Sequence, residues 1–147
     1  MDEKQLTENK ENKEDKENKK ENMVLYPSSY HSYNKIILHL MVKNESKIIE
    51  RCLTNAIVYV DAISILDTGS TDNTIEICRN FLSRTSKPFK ISEEPFKNFG
   101  YNRTISYQIA QKLCKKLKWD PERTYTMTID ADMIIKPQPL FKDFKLT

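Results

Sequence analysis

Ile36 to Val42 reads I-I-L-H-L-M-V, a short and almost unbroken apolar run. Such a run is the pattern of a strand buried on both faces, and that kind of burial belongs to parallel sheets covered by helices. A second β-rich run, Ala62 to Leu66, ends at Asp67-Thr68-Gly69-Ser70. Phe89 to Ser92 makes a third, short strand after Pro88, and Tyr125 to Ile129 a fourth that runs directly into Asp130-Ala131-Asp132. The intervening segments carry apolar residues at helical spacing. Ser46 to Ile57 presents Ile48, Ile49, Cys52, Leu53 and Ala56; a second helix presents Ile75, Ile77, Cys78, Phe81 and Leu82 behind Asp72 as its expected N-cap. A loop with Pro95 and Gly100 leads to a third helix, about Asn102 to Leu117, which Trp119-Asp120-Pro121 ends. The order βαβαβ, then α, then β, predicts an α/β fold whose mostly parallel sheet is flanked by helices on both faces.

Parallel sheets bind ligands outside the carboxyl ends of their strands, where strand order reverses. Asn44-Glu45, Asp67-Thr68-Gly69-Ser70 and Asp130-Ala131-Asp132 all leave such ends, so they are expected to converge on one sheet edge. Alternate residues of an extended segment point the same way, so Asp130 and Asp132 would face one cation together. Oxygen-only ligands suit Mg²⁺ or Mn²⁺, which take the rest of their shell from water and a substrate diphosphate. With nine Asp in the chain, a chance D-x-D is the plain alternative, and the position straight after T-M-T-I favours the functional one.

Gly69 permits a tight strand-to-helix turn and close backbone approach to a ligand. Asp67 either accepts hydrogen bonds from a base or ribose or simply starts the turn. Asn44-Glu45 on its own reads as a helix start, with Asn44 or Ser46 as the cap. Arg103, beside a helix start, either grips a phosphate in bidentate fashion or is a solvated surface side chain. His39, inside an apolar strand, reads as a satisfied core residue.

Composition narrows the partners. Residues 1–22 hold six Lys, six Glu and two Asp and almost nothing apolar, which predicts a disordered, charged tail ahead of one domain over 23–147. The net charge of the chain is +3 and that of the tail −2, so the remainder carries +5. This excess suits a phosphate-bearing ligand, but its basic residues are too scattered for nucleic acid. No run approaches the ~18 apolar residues of a membrane span, and no apolar stretch follows the N-terminal charges as in a signal peptide. Cys52, Cys78 and Cys114 form no C-x-x-C and read as reduced thiols in the core of a cytoplasmic protein.

L-M-V-K-N-E-S (Leu40 to Ser46), I-L-D-T-G-S-T-D-N-T (Ile65 to Thr74) and T-I-D-A-D-M (Thr128 to Met133) together resemble family 2 glycosyltransferases of the GT-A fold. The resemblance covers roughly residues 36–140, and D-T-G-S-T-D-N-T is its most specific part. F-G-Y-N-R-T (Phe99 to Thr104) sits where such enzymes often carry an Arg-Asn pair, here reversed as Asn102-Arg103. The resemblance implies a Rossmann-like nucleotide-sugar-binding half, a UDP-type donor, Mn²⁺ or Mg²⁺, and inversion at the anomeric carbon. By that analogy Asp67 would contact the base, and Asn44 and Glu45 would line the nucleotide pocket. Asp130 would face the ribose or metal and Asp132 would bind the metal directly. The family's acceptor site and catalytic base lie well downstream of the D-x-D, where Asp143 is the one carboxylate here. A domain incomplete at its C-terminus is therefore expected, either as a truncated or split gene product or with its acceptor half supplied by a second polypeptide; the acceptor itself is unspecified.

Other functions compete. A nucleotide-binding pseudoenzyme would keep the fold and ligand without turnover. A haloacid dehalogenase-type phosphatase also uses a D-x-D, but after the first core strand rather than the fourth. An interaction module leaves the three polar segments at strand ends unexplained.

Overall fold

The computed structural model describes residues 34–138. The charged tail and Asp143 lie outside the described residues. Four strands and three helices follow in order: β1 (Lys35–Val42), α1 (Ile49–Ala56), β2 (Ala62–Asp67), α2 (Thr74–Ser83), β3 (Phe89–Glu93), α3 (Phe99–Lys116) and β4 (Thr124–Thr128). The sheet order is β3-β2-β1-β4, and every pairing is parallel, as the apolar runs predicted.

Alternation along β1 sorts its side chains between two layers. Ile36, Leu38, Leu40 and Val42 share a core with Ile49, Cys52 and Leu53 of α1 and Cys78 and Leu82 of α2. Ile37 faces the other way and packs with Ala62 against Ala110, Leu113 and Cys114 of α3. Helices therefore cover both faces, and β1 and β2, central in the sheet, are its most apolar strands. Burying each of these Leu and Ile side chains contributes about 1.5–3 kcal/mol. All three cysteines are unpaired and buried, one on each helix. Burial raises the Cys52 thiol above its usual range and, with Asp67 nearby, pushes Cys78 up to about 12, so both stay protonated packing groups.

Helix starts differ from the expectation. α1 begins at Ile49, and neither Asn44 nor Ser46 caps it; the cap position, Ile48, has no side-chain hydrogen bond. The cap position of α2 is Asn73, one residue beyond the expected Asp72. α3 begins at Phe99, because the Asn98 side chain accepts from the Tyr101 N–H at 2.8 Å. Gly100 thus lies in the first turn of the helix and not in a loop, and Arg103 falls one turn inside.

The chain adds β2 and then β3 on one side of β1 and returns to place β4 on the other. Strand order reverses between β1 and β4, which is where such sheets open a crevice. Register deepens it. Val42 is level with Asp67, and Asp67 with Glu93, whereas the last pair of β4 sets Thr128 beside His39. β4 therefore stops short of the end of β1, and the segment after it folds across the step.

Candidate functional site

A cleft of about 460 Å³ opens at this switch point. Met41, Val42, Lys43 and Glu45 line it from the end of β1, Thr68 from the end of β2, and Phe96, Phe99 and Arg103 from around the start of α3. Asp130, Ala131 and Asp132 close the side beyond β4.

The aspartate segment is a turn and not the extended continuation of β4 that the sequence suggested. The Met133 N–H donates to the Asp130 carbonyl at 3.0 Å, and Ala131 is buried as the turn's anchor. Asp130 and Asp132 both still line the same cleft, on either side of Ala131. α1 holds the turn through its backbone. Asn55 accepts from the Ile135 N–H at 2.6 Å and donates to the Ile135 carbonyl at 3.2 Å, while the Cys52 thiol approaches the Asp130 carbonyl at 3.9 Å. The Arg51 guanidinium lies 3.5 Å from the Asp132 carbonyl. Among the described residues no three His, Cys, Asp or Glu side chains gather closely enough to hold a metal ion by themselves.

The loops after β1 and β2 are laced together behind the cleft. Asn44 adopts the left-handed conformation (φ 55°) that Asn tolerates, and its side-chain oxygen accepts from the Thr71 N–H at 2.7 Å. Its own N–H donates to the Ser70 hydroxyl at 2.9 Å, and the Glu45 N–H to the Thr74 hydroxyl at 2.8 Å. Asp72 accepts from the Thr74 N–H at 3.0 Å and the Ser46 N–H at 3.2 Å, so it joins both loops instead of capping α2 alone. The Thr74 hydroxyl is the main cause of its low pKa, about 2, with Ser46 adding to it. Asp67 is buried, and its carboxylate accepts from the N–H groups of Gly69 (3.1 Å) and Ser70 (3.0 Å) and from the Ser70 hydroxyl. Gly69 sits at φ 108°, where a side chain would be strained.

Of the residues singled out in the sequence, Glu45, Arg103, Asp130 and Asp132 therefore line the cleft together. Asn44, Asp67 and Gly69 stand outside its lining and shape the loops that border it.

Asn102, next to Arg103, is fully buried. It accepts from the Lys97 N–H at 2.8 Å and donates to the Pro95 carbonyl at 3.1 Å, pinning the segment that carries Phe96 to the helix that carries Arg103. His39 lies beneath, with Nδ1 3.0 Å from the Ser106 hydroxyl of α3 and Nε2 2.6 Å from the Thr128 hydroxyl of β4. It is the satisfied core residue expected, and burial, with Arg103 nearby, lowers its pKa below 6.5 and keeps it neutral.

Sequence reasoning assigned no individual role to Lys43, Thr68, Phe96 and Phe99 in the cleft, or to Asn55 behind it. Spacing held a signal for one of them: Phe99 and Arg103 are four residues apart, the interval that places side chains together on a helix.

No curated protein matches the chain. The family model described as glycosyl transferase family 2 matches residues 38–144 of the 147, well over half of the chain. That span takes in every strand end bordering the cleft, and by it the chain belongs to glycosyl transferase family 2.

Proposed function

We propose that the cleft binds a nucleoside-diphosphate sugar, UDP-linked in the first instance, through one divalent cation, Mn²⁺ or Mg²⁺, and serves as the donor site of a glycosyl transfer. One observation carries this reading: two carboxylates, Asp130 and Asp132, and two cationic side chains, Lys43 and Arg103, line a single cleft at the strand switch point.

The donor set fits the cation. Two exposed carboxylates on a short turn, without a third protein ligand grouped beside them, suit an ion that completes its shell with water and diphosphate oxygens. When bound, the cation would neutralise charge on the departing nucleoside diphosphate. Arg103 and Lys43 are suited to the same phosphates, Arg103 by the fork geometry of its guanidinium. Asp67, Asn44 and Asp72 would act indirectly, by holding the β1 and β2 loops in the conformation that forms the cleft floor. Three buried, unpaired thiols accord with a reducing compartment.

Calorimetric titration of the full chain with UDP, with and without Mn²⁺, tests the reading. Heat that depends on Mn²⁺ and disappears in Asp132→Ala is expected. A folded protein that binds neither UDP nor GDP in the presence of Mn²⁺ would overturn it.

A further inference from the structure

His39 interrupts the apolar run of β1 on the face that α3 covers, two residues beyond Ile37. Further down, that layer is filled by Ile37, Ala62, Ala110, Leu113 and Cys114. Level with His39 the sheet carries Ser64 on β2 and Thr128 on β4, and Ser106 of α3 meets the ring from the helix side. His39, Ser64 and Ser106 are all buried, and the Ser64 hydroxyl has no hydrogen-bond partner among the described residues. Burying polar groups opposes folding unless each one is paired, so a layer built for stability alone would have stayed apolar. This polar rung of the sheet needs another reason.

Its place along the strands supplies one. The rung is the last at which β4 pairs with β1, and the chain that carries Asp130 and Asp132 leaves the sheet directly after it. A neutral imidazole has one donor and one acceptor nitrogen, and a hydroxyl can play either part. His39 therefore spans the Thr128 hydroxyl (Nε2, 2.6 Å) and the Ser106 hydroxyl (Nδ1, 3.0 Å) in either tautomer. The bond to Ser106, one turn after Arg103 on α3, fixes the plane of the ring and so aims Nε2 at Thr128. On the opposite face of the sheet, Asn55 of α1 bonds the same segment at Ile135. The turn from Asp130 to Met133 thus lies between two fastenings, one just before it and one just after.

We infer that His39 is a positioning residue for the donor site: by holding the Thr128 hydroxyl it fixes the end of β4, and with it the placement of Asp130 and Asp132 in the cleft. This rests on the donor-site reading and deepens it, because it names a side chain outside the cleft lining that sets where the two carboxylates stand. Without the bond, the strand end samples other positions, and binding must supply the ordering that the bond supplied. The loss of affinity is therefore bounded by the worth of one hydrogen bond, about 2- to 13-fold.

The test is Mn²⁺-dependent binding of inorganic pyrophosphate to the full chain, by calorimetry, with circular dichroism to show that each variant is folded. His39→Leu keeps the bulk and bonds nothing, so it is expected to weaken pyrophosphate by the factor above. In His39→Gln the terminal amide reaches where Nε2 stood, and in His39→Asn it reaches only where Nδ1 stood. His39→Gln should therefore recover most of the lost affinity, and His39→Asn should resemble His39→Leu. Thr128→Val deletes the same bond from its other end and should match His39→Leu, with the double variant no weaker than either single one. Thr128 is exposed, so Thr128→Val decides alone if a His39 variant does not fold. Folded His39→Leu and Thr128→Val that bind as wild type does would overturn the inference while the donor site stands. Equal affinities for His39→Gln and His39→Asn, or additive losses in the double variant, would do the same by marking His39 as a packing residue only. Wild-type protein that binds no pyrophosphate with Mn²⁺ present overturns the donor-site reading and this inference together.

Discussion

Replacing Asn102 by Ala tests how the α3 side of the cleft is built. The side chain is fully buried and satisfies two backbone groups of the preceding segment, the Lys97 N–H and the Pro95 carbonyl. Ala fills neither role, and a part-buried hydrogen bond of this kind contributes about 0.5–1.5 kcal/mol. The two bonds together predict a destabilisation of about 1–3 kcal/mol. That is a large share of the roughly 5–15 kcal/mol that holds a typical domain together. Urea unfolding of the full chain, followed by the signal of Trp119, measures it.

Asn102→Asp sharpens the test. A carboxylate can still accept from the Lys97 N–H, but it meets the Pro95 carbonyl with no proton to donate. The folded state therefore favours the protonated acid, which raises the pKa of the introduced group above its unfolded value. Its folded-state advantage is present below the unfolded value and is lost as pH rises through the folded one. Asn102→Asp should thus recover stability relative to wild type on acidification, and Asn102→Ala should not. A cost below about 1 kcal/mol for Asn102→Ala, or an Asn102→Asp deficit independent of pH, would refute the account.

Two further predictions address the loops. Asn55→Ala removes both hydrogen bonds that fix Ile135 to α1, and outer-sphere supports of this kind are worth about 10- to 100-fold in metal affinity. Mn²⁺-dependent pyrophosphate binding should weaken by that factor in calorimetry, and an unchanged affinity would show that the Asp130–Met133 turn holds itself. Asp72 has its folded pKa depressed from 3.8 to about 2, so its contribution is present above 3.8 and is lost as pH falls through about 2. Denaturant midpoints across that window should fall less steeply for Asp72→Asn than for wild type; equal slopes would sink the proposed role in joining the loops.

Much of the fold was legible because local patterns and the tertiary arrangement demanded the same thing. A run such as Ile36 to Val42 has no polar side to turn toward water, so it could only become an inner strand with cover on both faces. The helices announced themselves by the spacing of Cys52, Leu53, Cys78 and Leu82, all of which the structure buries. That Asp130 and Asp132 would stand at the switch point followed from element order, because the polar ends of parallel strands share one edge.

Tertiary structure alone decided which polar residues of those ends face the cleft. Asp67, Asn44 and Asp72 look as available in the sequence as Asp132 does, yet Asn44 and Asp72 bond across the two loops and Asp67 bonds within its own turn, while Asp130 and Asp132 are left exposed. Hydrogen bonds between Asn44 and Thr71, or between Asn55 and Ile135, join positions far apart in the chain, and no periodicity records them. The turn at Asp130 arises in the same way, since β4 ends level with His39 and α1 draws the following backbone across the step. Periodicity reports which face of an element is buried; which buried or half-buried polar group finds which partner is set only when the elements meet.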